Sequence, residues 1–134
     1  MTDYLEWLDE YSVGIPELDA EHRRLMELTN RVLHAVEAHD HPRGIAAVEE
    51  VIAVMVKHFD REEAWMRTSG FPGYEAHRAA HNEHVRRLMG FSLELKREAI
   101  DLVDVVEFLM TWLYDHIQHL DVEFAAHLKS PPTE

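Results

Sequence analysis

Four stretches of this chain carry apolar residues at helical spacing, and polar, ligand-type side chains interrupt every one of those stripes. The first stripe reads Leu18, His22, Leu25, Thr29, Val32 and Val36; the second reads Val48, Val51, Met55, His58 and Glu62. The third is His77, His81, His84, Leu88, Phe91 and Leu95. The fourth is Leu102, Val106, Leu109, Leu113, His116 and Leu120, and it continues towards Phe124. Spacings of three and four put each set on one helical face that must be buried against another. Pro42 suits the first turn of the second helix, and Gly70-Phe71-Pro72-Gly73 ends it. Short connections favour antiparallel neighbours, so the expected fold is all-α, an up-down-up-down four-helix bundle.

One unit is expected over residues 1–134: an N-terminal arm (1–16), the bundle (17–128) and a disordered tail (129–134). The arm carries Tyr4, Trp7, Leu8, Tyr11 and Ile15, too much apolar surface for a free tail, and should pack across the bundle. The formal net charge of −13 argues against nucleic acid and against an anionic membrane surface. No apolar run approaches the roughly 18 residues of a membrane span. The acidic start lacks the features of a secretory signal, so the expected location is cytoplasmic. With no cysteine, thiolate chemistry and disulfides are excluded.

The chain has 11 histidines against 13 Lys and Arg, and histidine is the commonest protein metal ligand. His58 and Glu62 lie one turn apart on one face, as do His77 and His81. A single histidine on an apolar face is commonly a hydrogen-bonded core residue. The set is harder to explain that way, because burying Glu62 and Asp121 unpaired is very costly and a pair of cations removes that cost. Asp121 is out of phase with His116, since five residues advance about 500° and leave roughly 140° between them. The apolar pattern slips at the same place, from Leu109, Leu113 and His116 to Ile117, Asp121, Phe124 and Leu128. One extra residue in the helix, a π-bulge between His116 and Asp121, would turn both side chains inward.

His22, His58-x-x-x-Glu62, His77-x-x-x-His81 and His116-x-x-x-x-Asp121 together resemble the hemerythrin family, in particular its single-domain bacterial members. The resemblance extends over nearly the whole chain, including Trp7 and the Gly70-Phe71-Pro72 turn. It implies two inequivalent iron ions, one held by His77, His81 and His116 and the other by His22 and His58. Glu62 and Asp121 would bridge them with an oxo or hydroxo group. An apolar O2 pocket is implied at Leu25, Phe59, Trp112, Leu113 and Ile117, open to O2 and to small anions such as azide. The implied function is reversible O2 binding for transport, storage or supply, without catalysis, and no protein recipient is indicated. Rivals on the same scaffold are a di-iron enzyme (peroxidase, oxidase or nitric-oxide-consuming) and an O2 or redox sensor acting through a partner. The donor set alone suits iron but also zinc, cobalt or manganese. No Glu-x-x-His pair of the ferritin-like kind occurs.

Among the remaining histidines, His84 follows His81 by one turn on the inward stripe. It is read either as a partner or proton relay beside the site, or as a hydrogen-bonded core residue. His119 is expected at the surface, His39 and His41 in a solvated loop, and Glu49, Glu50 and Glu63 on exposed faces.

Overall fold

A computed structural model describes residues 6–129. Tyr4 of the arm and the tail from Ser130 onward lie outside the described residues. The helices are α1 (Pro16–Glu37), α2 (His41–Ser69), α3 (Tyr74–Lys96) and α4 (Leu102–His116), continued through a π turn (Ile117–Asp121) into α5 (Val122–Lys129). A short 3-10 turn, Asp9–Tyr11, precedes them, and there is no strand among the described residues. α1 packs on α2 and α4, and α2 on α3, so the α4–α5 rod completes a four-helix bundle. No helix of the described residues is long and apolar enough to cross a membrane.

Each helix begins and ends for a local reason. Pro16 opens α1, where its missing N–H has no intrahelical partner to lose. Asp40 caps α2 by accepting from the Arg43 N–H at 3.1 Å, with Pro42 in the first turn. α2 stops at Gly70, whose φ of 68° is left-handed, and the Phe71 N–H returns to the Met66 carbonyl at 3.0 Å. α1 and α3 stop in the same way without glycine. His39 (φ 54°) and Glu98 (φ 57°) take the left-handed position, and the next N–H reaches back to Ala35 at 3.0 Å and Glu94 at 2.8 Å.

Apolar layers fill the two ends of the bundle. Val32, Val48, Val51, Leu95 and Val105 close one end, while Leu18, Met66 and Phe124 close the other, all essentially inaccessible. The ligand-type residues lie between these layers, so apolar packing closes the cluster off at both ends of the bundle. The arm does pack across the bundle. Asp19 accepts from Ser12 Oγ (2.5 Å) and the Val13 N–H (2.9 Å), and Lys129 Nζ donates to the Val13 carbonyl at 3.0 Å. Tyr11 meets Tyr114 edge-on at 6.1 Å, and the Arg23 guanidinium sits 4.7 Å over Trp7. His41 departs from the expected solvated loop: it is the first residue of α2, half-buried, and its Nε2 donates to the Leu95 carbonyl at 3.0 Å. His39 and His119 are exposed, as expected.

Glu98 is exposed and holds a conformation that costs an L-residue about 1–2 kcal/mol, part of which glycine gives back as unfolded-chain entropy. Glu98→Gly should therefore stabilise the protein by roughly 0.5–1 kcal/mol, read as a higher urea midpoint at unchanged slope. A lower midpoint would contradict this account of the α3 terminus.

Candidate metal centre

All four arms of the bundle contribute to one polar cluster at its centre. α1 supplies His22, α2 supplies His58 and Glu62, α3 supplies His77 and His81, and the α4–α5 rod supplies His116 and Asp121. All seven are buried, Glu62 to 1% exposure and Asp121 to 0%. Ligand atoms of Glu62, His77, His81, His116 and Asp121 lie within 4.8 Å of one another, and so do those of His22, His58, Glu62 and Asp121. The two carboxylates belong to both groups. Two groups of candidate metal ligands therefore overlap at Glu62 and Asp121.

The π turn is what brings Asp121 into the cluster. The Val122 N–H bonds the Ile117 carbonyl five residues back, and the extra residue removes most of the angular offset between His116 and Asp121. Asp121 Oδ1 then lies 3.1 Å from His116 Nε2 and 3.0 Å from His77 Nε2, with Oδ2 2.8 Å from His22 Nε2. Glu62 Oε1 is 2.9 Å from His77 Nε2 and 3.2 Å from His81 Nε2, and Oε2 is 3.5 Å from His58 Nε2.

These contacts are close without being satisfied. None of the four carboxylate oxygens has a hydrogen-bond partner of good geometry, and neither does His22 Nε2. His116 Nε2 lies 3.0 Å from His77 Nε2 and 3.1 Å from His81 Nε2, so three imidazole nitrogens face one another. Protons alone cannot satisfy such a set, since a neutral imidazole offers one donor and the carboxylates offer none. Cations satisfy all of it, because each lone pair then meets a positive charge. The donor set fits a metal-binding site made of imidazole and carboxylate without sulfur.

Two further carboxylates prepare the histidines. His58 Nδ1 donates to Glu21 Oε1 at 2.6 Å, and His81 Nδ1 donates to Glu63 Oε2 at 2.9 Å. A proton held on Nδ1 leaves the Nε2 lone pair facing the cluster. Arg61 in turn pairs with Glu21. Glu63 is thus not the exposed acid expected from the sequence, and Glu21 is a functional residue that the helical stripes do not mark. The available signal is position: each adjoins a ligand-type residue on its helix, about 100° round from the inward face and within reach of the next helix.

The rings around the cluster are close-packed. Phe59 stacks on His81 (3.7 Å, 5°), and Trp112 stacks on His116 (4.3 Å, 18°). Leu113 and Ile117 line a cavity of about 30 Å³ with Tyr11, Met26, Met110 and Tyr114. Leu25 and Phe59 are buried outside that cavity, and Trp112 is half-buried. His84 is buried with neither ring nitrogen bonded, so it is no hydrogen-bonded core residue.

Charge without a metal is held by protons. Burial works against the His77 proton, but Asp121 and Glu62 outweigh it and push the group up to about 9. Burial would also raise Asp121 and Glu62, yet the surrounding histidines hold both below the ordinary carboxylate range. Burial, helped by His116, His81 and Arg87, pushes His84 down to about 3.

Comparison with known proteins agrees with the geometry. Residues 13–128 match the family model described as the hemerythrin HHE cation binding domain. A bacteriohemerythrin of Stenotrophomonas maltophilia is 29% identical over 128 residues, covering 94% of this chain and 82% of that one. A myohemerythrin of Sipunculus nudus is 26% identical, covering 91% and 92%. A wild-type hemerythrin crystal structure superposes with a TM-score of 0.86 at 19% identity, over 95% of this chain and 99% of that one, and shares the fold.

In the metal-free protein, the stability due to protonated His77 is complete below its unfolded value of 6.5 and is lost as pH rises through about 9. Neutral His84 acts oppositely: its contribution is complete above 6.5 and is lost as pH falls towards about 3. Stability of the metal-free protein should therefore peak near neutrality. From there to pH 9 it should fall by on the order of 2–3 kcal/mol, a slope that His77→Gln removes; urea unfolding across that range checks it. A flat profile would contradict the assignment. Glu63→Gln and Glu21→Gln should each weaken metal binding about 10- to 100-fold, measured by competition with a chelator.

Proposed function

We propose, given that this chain belongs to the hemerythrin family, that it binds O2 reversibly at a non-haem di-iron centre, for oxygen transport, storage or supply. One observation carries the reading: two fully buried carboxylates, without hydrogen-bond partners, are shared by two groups of histidines. In this reading His77, His81 and His116 hold one iron, and His22 and His58 hold the other. Glu62 and Asp121, common to both groups, would be shared by the two ions together with an oxo or hydroxo group. The His22/His58 ion would then have one histidine fewer than its neighbour, and O2 or a small anion such as azide would enter there. When bound, the two ions supply the electrons that O2 takes up on binding and returns on release.

The chain's own residues account for reversibility. Leu25, Phe59, Leu113 and Ile117 are buried, and with Trp112 they wall the site in apolar groups that exclude water and outside acids. The small cavity beside Leu113 and Ile117 has room for a diatomic molecule and offers it almost no polar partner. Glu21 and Glu63 keep His58 and His81 oriented with Nε2 free to bind metal. The only polar groups on the cavity wall are the phenols of Tyr11 and Tyr114, and no carboxyl or imidazole lines it. His84, stacked on Trp112, is held neutral by burial. These features favour a carrier over a di-iron enzyme, which needs a proton donor at the same place.

Anaerobic reconstitution with ferrous iron, followed by cycles of O2 and its removal, tests this. Absorption that appears and disappears over many cycles is the expected result; bleaching in the first cycle with release of hydrogen peroxide would overturn it. His77→Ala should lose iron. Leu113→Asn should keep both ions yet lose bound O2 irreversibly several times faster than the wild type, because the amide admits water. An unchanged lifetime in that variant would count against the apolar wall.

A further inference from the structure

Four rings stand nearly parallel in a row, and the row ends on His116. Phe108 and His84 lie 5.2 Å apart between centroids with planes 16° apart. His84 and Trp112 lie 3.5 Å and 10° apart, and Trp112 and His116 lie 4.3 Å and 18° apart. Two rings so nearly centred over one indole cannot share a face, so His84 covers one side of Trp112 and His116 the other. Trp112 is itself only half-buried.

His84 has no hydrogen-bonding reason to be where it is. It is 1% exposed with both nitrogens unbonded, an arrangement that costs about 1–3 kcal/mol. Its contacts are ring faces, and they clamp the indole against His116. The other rings on the cluster's histidines are phenyls: Phe59 on His81 and His58, and Phe71 and Phe124 edge-on to His77. A phenyl ring is hard to oxidise, whereas an indole gives up an electron far more readily. Among the described residues, Trp112 is therefore the oxidisable ring that joins solvent to a ligand-type histidine.

We infer that Trp112 is an electron relay that supplies a missing reducing equivalent to the metal centre when a hydroperoxide reacts there, sparing the histidines. The inference rests on the di-iron reading above. Hydrogen peroxide takes up two electrons and two protons as its O–O bond breaks, giving two waters. A centre with one ferrous and one ferric ion supplies one electron as Fe2+ becomes Fe3+. Trp112 supplies the second through its contact with His116. The indole N–H proton is lost as the electron leaves, giving a neutral indolyl radical, and the reduced peroxide leaves as two hydroxide ions that take up that proton and one more from solvent outside the apolar wall. A soluble one-electron reductant such as ascorbate then returns an electron, a solvent proton follows, and the indole is restored. His84 acts as a positioning residue that keeps the indole in place.

The test uses full-length protein whose iron content has been measured, poised with one ferrous and one ferric ion and given one equivalent of hydrogen peroxide. Freeze-quench electron paramagnetic resonance and peptide mass mapping are the readouts. The expected result is an indolyl radical and oxidation at Trp112, both absent in Trp112→Phe, where oxidation moves to His116 and iron is lost over repeated doses. His84→Phe should keep the radical because it keeps a ring on the indole face, and His84→Ala should lower its yield. Oxidation mapping to Trp7 or Trp65, or histidine damage equal in wild type and Trp112→Phe, would overturn the relay. A chain that takes up no iron overturns the di-iron reading and the relay with it. A loaded chain with no radical at Trp112 overturns the relay alone.

Discussion

Two carboxylates with no hydrogen-bond partner, at the centre of a helical bundle, are the constraint that the rest of this structure serves. Glu62 and Asp121 are 1% and 0% exposed, and all four of their oxygens lack a hydrogen bond of good geometry. An uncompensated buried charge costs several kcal/mol, a large share of the 5–15 kcal/mol that typically holds a domain together. Positive charge must therefore sit between them. In the metal-free chain His77 provides part of it by keeping its proton up to about pH 9. A pair of metal ions would provide it fully and give a use to the Nε2 atoms of His22, His58, His77, His81 and His116, which face the carboxylates.

Around that centre, local structure is bent to purpose. A regular helix would swing Asp121 away from His116, so the fourth arm gives up regular i→i−4 bonding over Ile117–Asp121. Apolar layers at both ends of the bundle hold the arms at fixed spacing and keep water from the charges. Glu21 and Glu63 fix the rings of His58 and His81 from outside, one on each side of the cluster.

Much of this was legible in the sequence because helical periodicity is strict. Stripes at three- and four-residue spacing fixed the helices and the inward faces, and the polar interruptions marked the cluster. Even the π turn showed, as a slip of phase between His116 and Asp121. What stayed hidden depends on neighbours that sequence spacing does not reveal. Glu63 looked like an exposed acid because its partner, His81, lies on a different helix. His41 looked like a loop residue because the carbonyl it binds is 54 positions away, at Leu95. His84 followed the inward stripe correctly, but no pattern of spacing could show that it would end up between two aromatic rings with nothing to bond.

The claim on which everything else rests is that Glu62 and Asp121 are shared by two metal ions. Titrating metal-free protein with ferrous iron under anaerobic conditions, with the iron bound per chain read at each addition and the two sites distinguished by Mössbauer spectroscopy, tests it most directly. The account predicts two irons per chain in unequal environments, and loss of both when Asp121 is replaced by Ala. One iron per chain, or two that survive Asp121→Ala unchanged, would contradict it.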